Sequence, residues 1–297
     1  MSAQPDAAAG RLRRAAGALA DPLPPLLAQA ERLAQGVMLG EHGRRRSGLG
    51  DEFWQYRAAV EGDEARLIDW RRSAKSDAHF IRQKEWQAVQ TVLVWVDGAA
   101  SMSFASGRDL PRKSERAKTL ALALAILLLR AGESVGLADG TVAAAGGQGQ
   151  ILRLAGAMSA PEGAAEYGTP RLTGLKPNIR GLFLSDFMGD LAPVEAALTR
   201  AAERGVRGAV LQVLDPAEEA FPYDGRTIFE SMAGGVRHET LKAGDLRGRY
   251  RERLQARKEA LAALAQTTGW LWHCHHTDQS ASAALLWLYA ATERRQR

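Results

Sequence analysis

The residues with the clearest chemical potential are three aspartates that end apolar runs: Asp97 in "TVLVWVD", Asp186 in "LFLSDF" and Asp215 in "GAVLQVLD". A short continuous apolar run closed by a turn residue is how a strand buried on both faces reads in sequence. In an open parallel sheet, ligands sit beyond the carboxyl ends of such strands. Asp97 and Asp186 occupy comparable settings, "VWVDGAAS" and "LFLSDFMGD", so their carboxylates are expected to converge. Converging carboxylates repel, and a cation, a proton or basic side chains must offset that repulsion. An oxygen-only set favours a hard ion such as Mg²⁺, Ca²⁺ or Mn²⁺.

Other candidate chemistry is weaker. "HCHH", His273 to His276, suggests zinc, but strand alternation puts His273 and His275 on one face and Cys274 and His276 on the other. A strand end leading into a helix capped by Thr277 or Asp278 is the better reading. "GGQGQ", Gly146 to Gln150, has no following Lys-Ser/Thr pair, so it is not a phosphate-binding P-loop. No Gly-x-Ser-x-Gly elbow occurs, and the lone Cys274 has no evident activating neighbour. The chain therefore reads as a non-enzyme. A metal-dependent hydrolase using Asp97 and Asp186 is the catalytic alternative.

The elements that must position these residues follow from the pattern. Residues 1–36 are rich in Ala, Arg and Pro, and "DPLPPLLAQAERLAQG" predicts a helix starting after its prolines, with Leu26, Leu27 and Leu33 as its apolar side. Residues 37–87 form an extension crowded with charges and aromatics, in which "AHFIRQKEWQ" predicts a strand. From about residue 88 to 292 strands alternate with helices, which implies a mostly parallel sheet with right-handed crossovers. "SERAKTLALALAILLLRAG" is a helix stopped at Gly132, and "SVGLADGTVAAAGG" reads as a strand pair turned at Asp139-Gly140. "DPAEEAFPYDGRTIFESMAGGVRHETL" breaks the alternation with a small hairpin. A long charged helix, the strand "GWLWHCHH" and a closing helix follow.

Composition narrows the class. Hydrophobic residues make up 46% of 297 and charged residues 25%, ordinary values for a globular chain. The longest apolar run, Leu120 to Leu129, is shorter than the roughly 20 residues needed to span a bilayer. One cysteine permits no internal disulfide. These features make a cytoplasmic protein the expectation, with membranes reached only through partners. The net charge of +5 is mildly basic.

On the quoted acids and strands the sequence resembles the von Willebrand factor A group, whose metal-ion-dependent adhesion site begins with Asp-x-Ser-x-Ser after the first strand. More closely, it resembles the domain-of-unknown-function 58 (DUF58) family. The match is carried by "GEHGRRRSGLGDEF", "YRAAVEGDEARLIDWRRSAK", "VDGAASM" and "LFLSDF", and runs roughly from residue 38 to 290. Its most specific part is Gly-Asp-x-x-Arg-x-Ile-Asp-Trp, Gly62 to Trp70. The resemblance implies a von Willebrand A-like, Rossmann-like α/β domain with an N-terminal strand and loop extension. It also implies a metal set of Asp97, Ser101, Asp186 and a loop threonine, Thr169 or Thr173. Ala99 stands where the group has its first serine, so the adhesion site is degenerate. Mg²⁺ or another divalent cation, with water completing its shell, is one outcome, and a vestigial site kept for turn geometry and helix capping is the other.

The same resemblance implies a partner. Family members are often encoded beside MoxR-type AAA+ ATPases, with a role in assembling or maturing client proteins. The expected function is thus a non-enzymatic interaction or adaptor module. In "IDWRRSAK", exposed Arg71, Arg72 and Lys75 beside Trp70 would anchor a partner, with Asp63, Arg66 and Asp69 shaping the surface. Alternatively Trp70 packs into the core and Asp63 and Asp69 bond to turn backbone or to Arg66. Arg44, Arg45 and Arg46 are the place to look for an acidic or phosphate partner. A basic-surface binder of nucleic acid, recognised by steep salt dependence, is the second functional alternative.

Overall fold

The computed structural model describes residues 25–40, 53–59, 68, 70–74, 79–84, 89–159 and 163–293. Its centre is a sheet of five strands: β3 (Thr91–Val96), β4 (Ser134–Leu137), β5 (Ile179–Ser185), β6 (Arg207–Leu214) and β9 (Leu271–His276). The spatial order is β4-β3-β5-β6-β9, and every neighbouring pair is parallel. The three runs ending in Asp97, Asp186 and Asp215 form β3, β5 and β6, the middle of this sheet. Central parallel strands have helices on both faces, which explains why they carry no alternation. The molecule is a Rossmann-like α/β domain, as expected.

Helices cover the two faces unequally. One face holds α1 (Pro25–Gly40), α3 (Lys113–Arg130), α4 (Gly149–Met158) and α8 (Ala281–Glu293). Helix α3 is apolar almost all round because it packs on the sheet and is itself covered by α1, α4 and α8. Leu27 is buried there, with Leu26 and Leu33 packed against the same cluster. The first helix runs on to Gly40, four residues past the expected end at Gly36, since Val37 is buried in that cluster too.

The opposite face carries α5 (Ala192–Glu203) and α7 (Arg247–Thr268), packed over Phe183, Val210 and Trp270. The Trp270 ring lies on Gly181, where an added Cβ would sit 2.3 Å from it. Glycine there is what lets the indole reach the sheet.

The short α6 (Pro216–Ala220) leads into the antiparallel hairpin of β7 (Thr227–Glu230) and β8 (Arg237–Thr240), as the broken alternation predicted. In the N-terminal region β1 (Phe53–Ala58) pairs antiparallel with β2 (Phe80–Lys84), and α2 (Trp70–Ser73) is a single turn. The expected strand in "AHFIRQKEWQ" is β2. The strand pair expected around Asp139-Gly140 is only partly formed. The turn is present, with Gly140 at φ +82°, but the return segment makes one bridge, Val135 to Ala145. The buried side chain of Gln150 donates to the carbonyls of Val135 and Ala143, and the Leu137 N–H bonds to Val142 O rather than to Ala143 O.

Candidate functional site

The chain runs from β3 out to β4 on one side and then crosses back over β3 to β5 on the other, so the carboxyl ends of β3 and β5 flank the point where strand order reverses. In doubly wound sheets that crevice is the default ligand position. Asp97 leaves β3 there and Asp186 leaves β5, each only 1% exposed. The two carboxylates lie close enough for the Asp186 charge to act on Asp97.

Asp97 is held on all sides. Its Oδ1 accepts from the backbone N–H of Ala99 at 2.8 Å, and its Oδ2 accepts from the Ser185 hydroxyl at 2.6 Å. The Gly168 N–H also bonds to it. Gly168 lies so close that an added Cβ would be 2.0 Å from Asp97 Oδ1, a position open only to glycine. Burial pushes the Asp97 carboxyl above its ordinary value, with help from Asp186, and the three hydrogen bonds only partly offset that. Ser101 sits on the 3-10 turn Ala100–Ser103 that follows, and its N–H donates to Glu166 O. The Ser101 hydroxyl is buried and has no hydrogen-bond partner.

Asp186 meets a cation supplied by the chain itself. Lys113, the first residue of α3 and 1% exposed, places its Nζ 2.8 Å from Asp186 Oδ2 and 2.6 Å from Glu218 Oε1. The same Nζ lies 5.8 Å from the centre of the Phe104 ring. Burial favours the neutral amine, but the two carboxylates outweigh burial and hold Lys113 protonated, above its usual range. Glu218 goes the other way: burial, helped by the nearby Asp186 charge, lifts its carboxyl despite the Lys113 charge. Asp215 is tied into the same end of the sheet. It caps α6 through the Ala217 N–H, accepts from the Ser106 N–H at 2.8 Å, and is fully buried.

A divalent cation does not fit this arrangement. Ala99 offers a methyl in place of a ligand oxygen, and both oxygens of Asp97 are already engaged. The ammonium sits on Asp186, where such a cation would go. A doubly charged ion sharing Asp186, about 4 Å from the ammonium, would be repelled by roughly 8 kcal/mol at an effective dielectric of about 20. The orphaned Ser101 hydroxyl alone does not outweigh that. Thr169 follows Gly168 in the chain but is solvent-exposed, and Thr173 is committed to Ala138, through both its N–H and its hydroxyl. Among the described residues, no cluster of three acids, histidines and cysteines has the geometry to hold a metal.

Other expected sites are dispersed. Trp70 is 58% exposed and meets His79 edge-on, so it does not pack into the core, and Arg71 is exposed beside it. Arg44, Arg45, Arg46, Asp63, Arg66, Asp69 and Lys75, and the side chain of Arg72, lie outside the described residues. The β9 histidines alternate as expected. His273 stacks on Trp287 and His275 contacts Arg116, whereas His276 pairs with Glu219, which also binds Lys258. Burial pushes the Cys274 thiol up to about 11, which leaves it a poor nucleophile. Thr277 is not a cap: its hydroxyl is buried and unpartnered, while its carbonyl accepts from Arg116.

Three residues central to the site carry no chemical motif in the sequence: Lys113, Gly168 and Ser185. Glu218 did have a signal, the D-x-x-E capping box of "DPAE", which forms between Asp215 and Glu218.

A parallel sheet of this order, flanked by helices on both faces, defines a doubly wound, Rossmann-like α/β domain. The chain belongs to the family described as protein of unknown function DUF58, whose model matches residues 55–260. It is similar to uncharacterised proteins of Mycobacterium tuberculosis and Mycobacterium bovis, each 29% identical over 219 residues, covering 69% of this chain and 68% of theirs. Among solved structures it is similar to the conserved hypothetical protein BatB of Bacteroides thetaiotaomicron, at 16% identity and a TM-score of 0.38 over 69% of this chain and 98% of that one. An aerotolerance-related membrane protein of Bacteroides fragilis gives 15% identity and a TM-score of 0.39 over the same shares.

Proposed function

We propose that this chain is a non-enzymatic protein-interaction module that works as an adaptor with a MoxR-type AAA+ ATPase in the assembly or maturation of client proteins, and that it does so without a bridging metal. The observation that carries this reading is the closed, internally compensated switch point. Asp97, Lys113 and Asp186 are buried and bonded to one another's surroundings, so no substrate can reach them. A cleft of about 590 Å³ lies to the side, lined by Glu219, Arg251, Gln255 and His276 rather than by these acids.

What the site does instead is fix the loops above it. Glu166 joins the Gly168 loop to the hairpin by accepting from the N–H groups of Met232 and Ala233. Tyr167, Met232 and Val236 on those loops are exposed, and Val236 is 67% so. Large apolar side chains held out on fixed loops are the raw material of a recognition surface.

The test is co-elution of the full chain with a MoxR-type ATPase from the same genome, followed by light scattering with and without EDTA in nucleotide-free buffer. A stable complex indifferent to EDTA is expected. No complex would refute the adaptor reading, and a complex dissolved by EDTA would refute its metal independence.

A further inference from the structure

A second surface, next to Glu218 but separate from the buried acids, has the form of a peptide-docking groove. It lies between the β7–β8 hairpin and the first turns of α7. Phe229 and His238 are directly opposed across the hairpin and form one wall. Leu246, the N-cap of α7, and Arg249, Tyr250 and Arg253 on that helix are spaced i, i+3, i+4 and i+7, which places them on one face and makes the other wall. Phe221 closes the floor. Its ring is stacked with Phe229 at 5.7 Å and lies 4.8 Å from Tyr250. The cavity is about 330 Å³, near the lower end of the roughly 300–1,000 Å³ typical of ligand clefts, and suits one large apolar side chain.

The two arginines Arg249 and Arg253 are the lining residues with a permanent charge, and no acid lines the cavity itself. Arg249 and Arg253 are exposed on the rim, and neither makes a salt bridge with any described residue. The neighbouring Arg247 and Arg251 are used structurally, donating to backbone carbonyls of Phe221, Tyr223 and Ala220. The first turn of α7 has no acidic residue. Arg249, in that first turn, opposes the helix dipole rather than complementing it. The planar forks of the two rim arginines suit carboxylates.

We infer that this groove docks an acidic peptide segment of a partner protein by inserting one aromatic or large aliphatic side chain over Phe221, Phe229 and Tyr250 while flanking carboxylates pair with Arg249 and Arg253. The inference extends the interaction-module reading. Its probe is a peptide, so its failure and the failure of ATPase binding are read separately.

The experiment is fluorescence anisotropy of the full chain with a labelled Asp-Asp-Phe-Asp-Asp peptide. Controls are Asp-Asp-Ala-Asp-Asp, Lys-Lys-Phe-Lys-Lys and a ten-nucleotide oligouridylate. The expected result is saturable binding of the first peptide alone, weakened by about tenfold or more in Arg249→Glu/Arg253→Glu, whose exposed positions keep the fold intact. Phe229→Ser should weaken it independently while leaving the thermal transition cooperative. Any of four results would overturn the inference: no binding of the first peptide, equal binding of the alanine peptide, binding unchanged in the arginine variant, or tighter binding of the oligonucleotide.

Discussion

Replacing Lys113 by methionine keeps an unbranched apolar side chain out to the Cε position and removes the ammonium. In the native protein that ammonium sits 2.8 Å from Asp186 Oδ2 and 2.6 Å from Glu218 Oε1, with Lys113 and Asp186 each 1% exposed. Its removal leaves two carboxylates in a space that already raises Glu218 and Asp97. Breaking a buried pair from one side typically costs about 3–5 kcal/mol, because the remaining charge is stranded. Total stabilities are of the order of 5–15 kcal/mol, so the loss is a large share. Urea unfolding at neutral pH should show the midpoint falling by roughly 1–2 M, at slopes of a few kcal/mol per molar.

The neutral triple variant Lys113→Met/Asp186→Asn/Glu218→Gln separates charge from packing. It should recover most of the loss, since removing a buried ion pair whole is often close to neutral. Such strong non-additivity is what a shared charge network gives. If Lys113→Met lost less than about 1 kcal/mol, or if the triple variant were no better than the single one, the ammonium would not be the cation that holds this site.

Two further outcomes follow from neighbouring geometry. Gly168→Ala should destabilise by about 1–3 kcal/mol, because its Cβ would lie 2.0 Å from an Asp97 oxygen fixed by Ser185 and Ala99; thermal melting checks this, and a change below a few tenths would contradict the packing. Burial beside Arg116, His273 and His276 pushes His275 down from 6.5 to about 4, so between those values the unfolded chain binds a proton that the folded chain refuses. The associated stability is full above pH 6.5 and falls by about 3 kcal/mol as pH drops to 4; His275→Gln should flatten that slope relative to wild type in denaturant titrations across the window.

Much of the fold was legible because buried parallel strands leave continuous apolar runs, and Asp97, Asp186 and Asp215 mark where they stop. The incomplete pairing after Asp139 was not legible, because the Asp139-Gly140 signal marks the turn and not how far the segments pair beyond it. The acid pair was visible as a pattern of strand ends. Its counter-ion was not, because Lys113 in "PRKSERAK" is one of several cations around a helix start, and nothing local marks it for burial. Its burial comes from the placement of α3 under β5 and α6, a tertiary fact. Trp70 illustrates the converse: an aromatic that local reasoning would bury stands 58% exposed on a single helical turn.

The central issue is whether the switch point takes its positive charge from Lys113 or from a metal. Calorimetric titration of Mg²⁺ and Mn²⁺ into the wild-type chain and into Asp97→Ala decides between them. A site filled by its own ammonium predicts no saturable heat at millimolar metal in either protein. Saturable binding to the wild type that disappears in Asp97→Ala would contradict it.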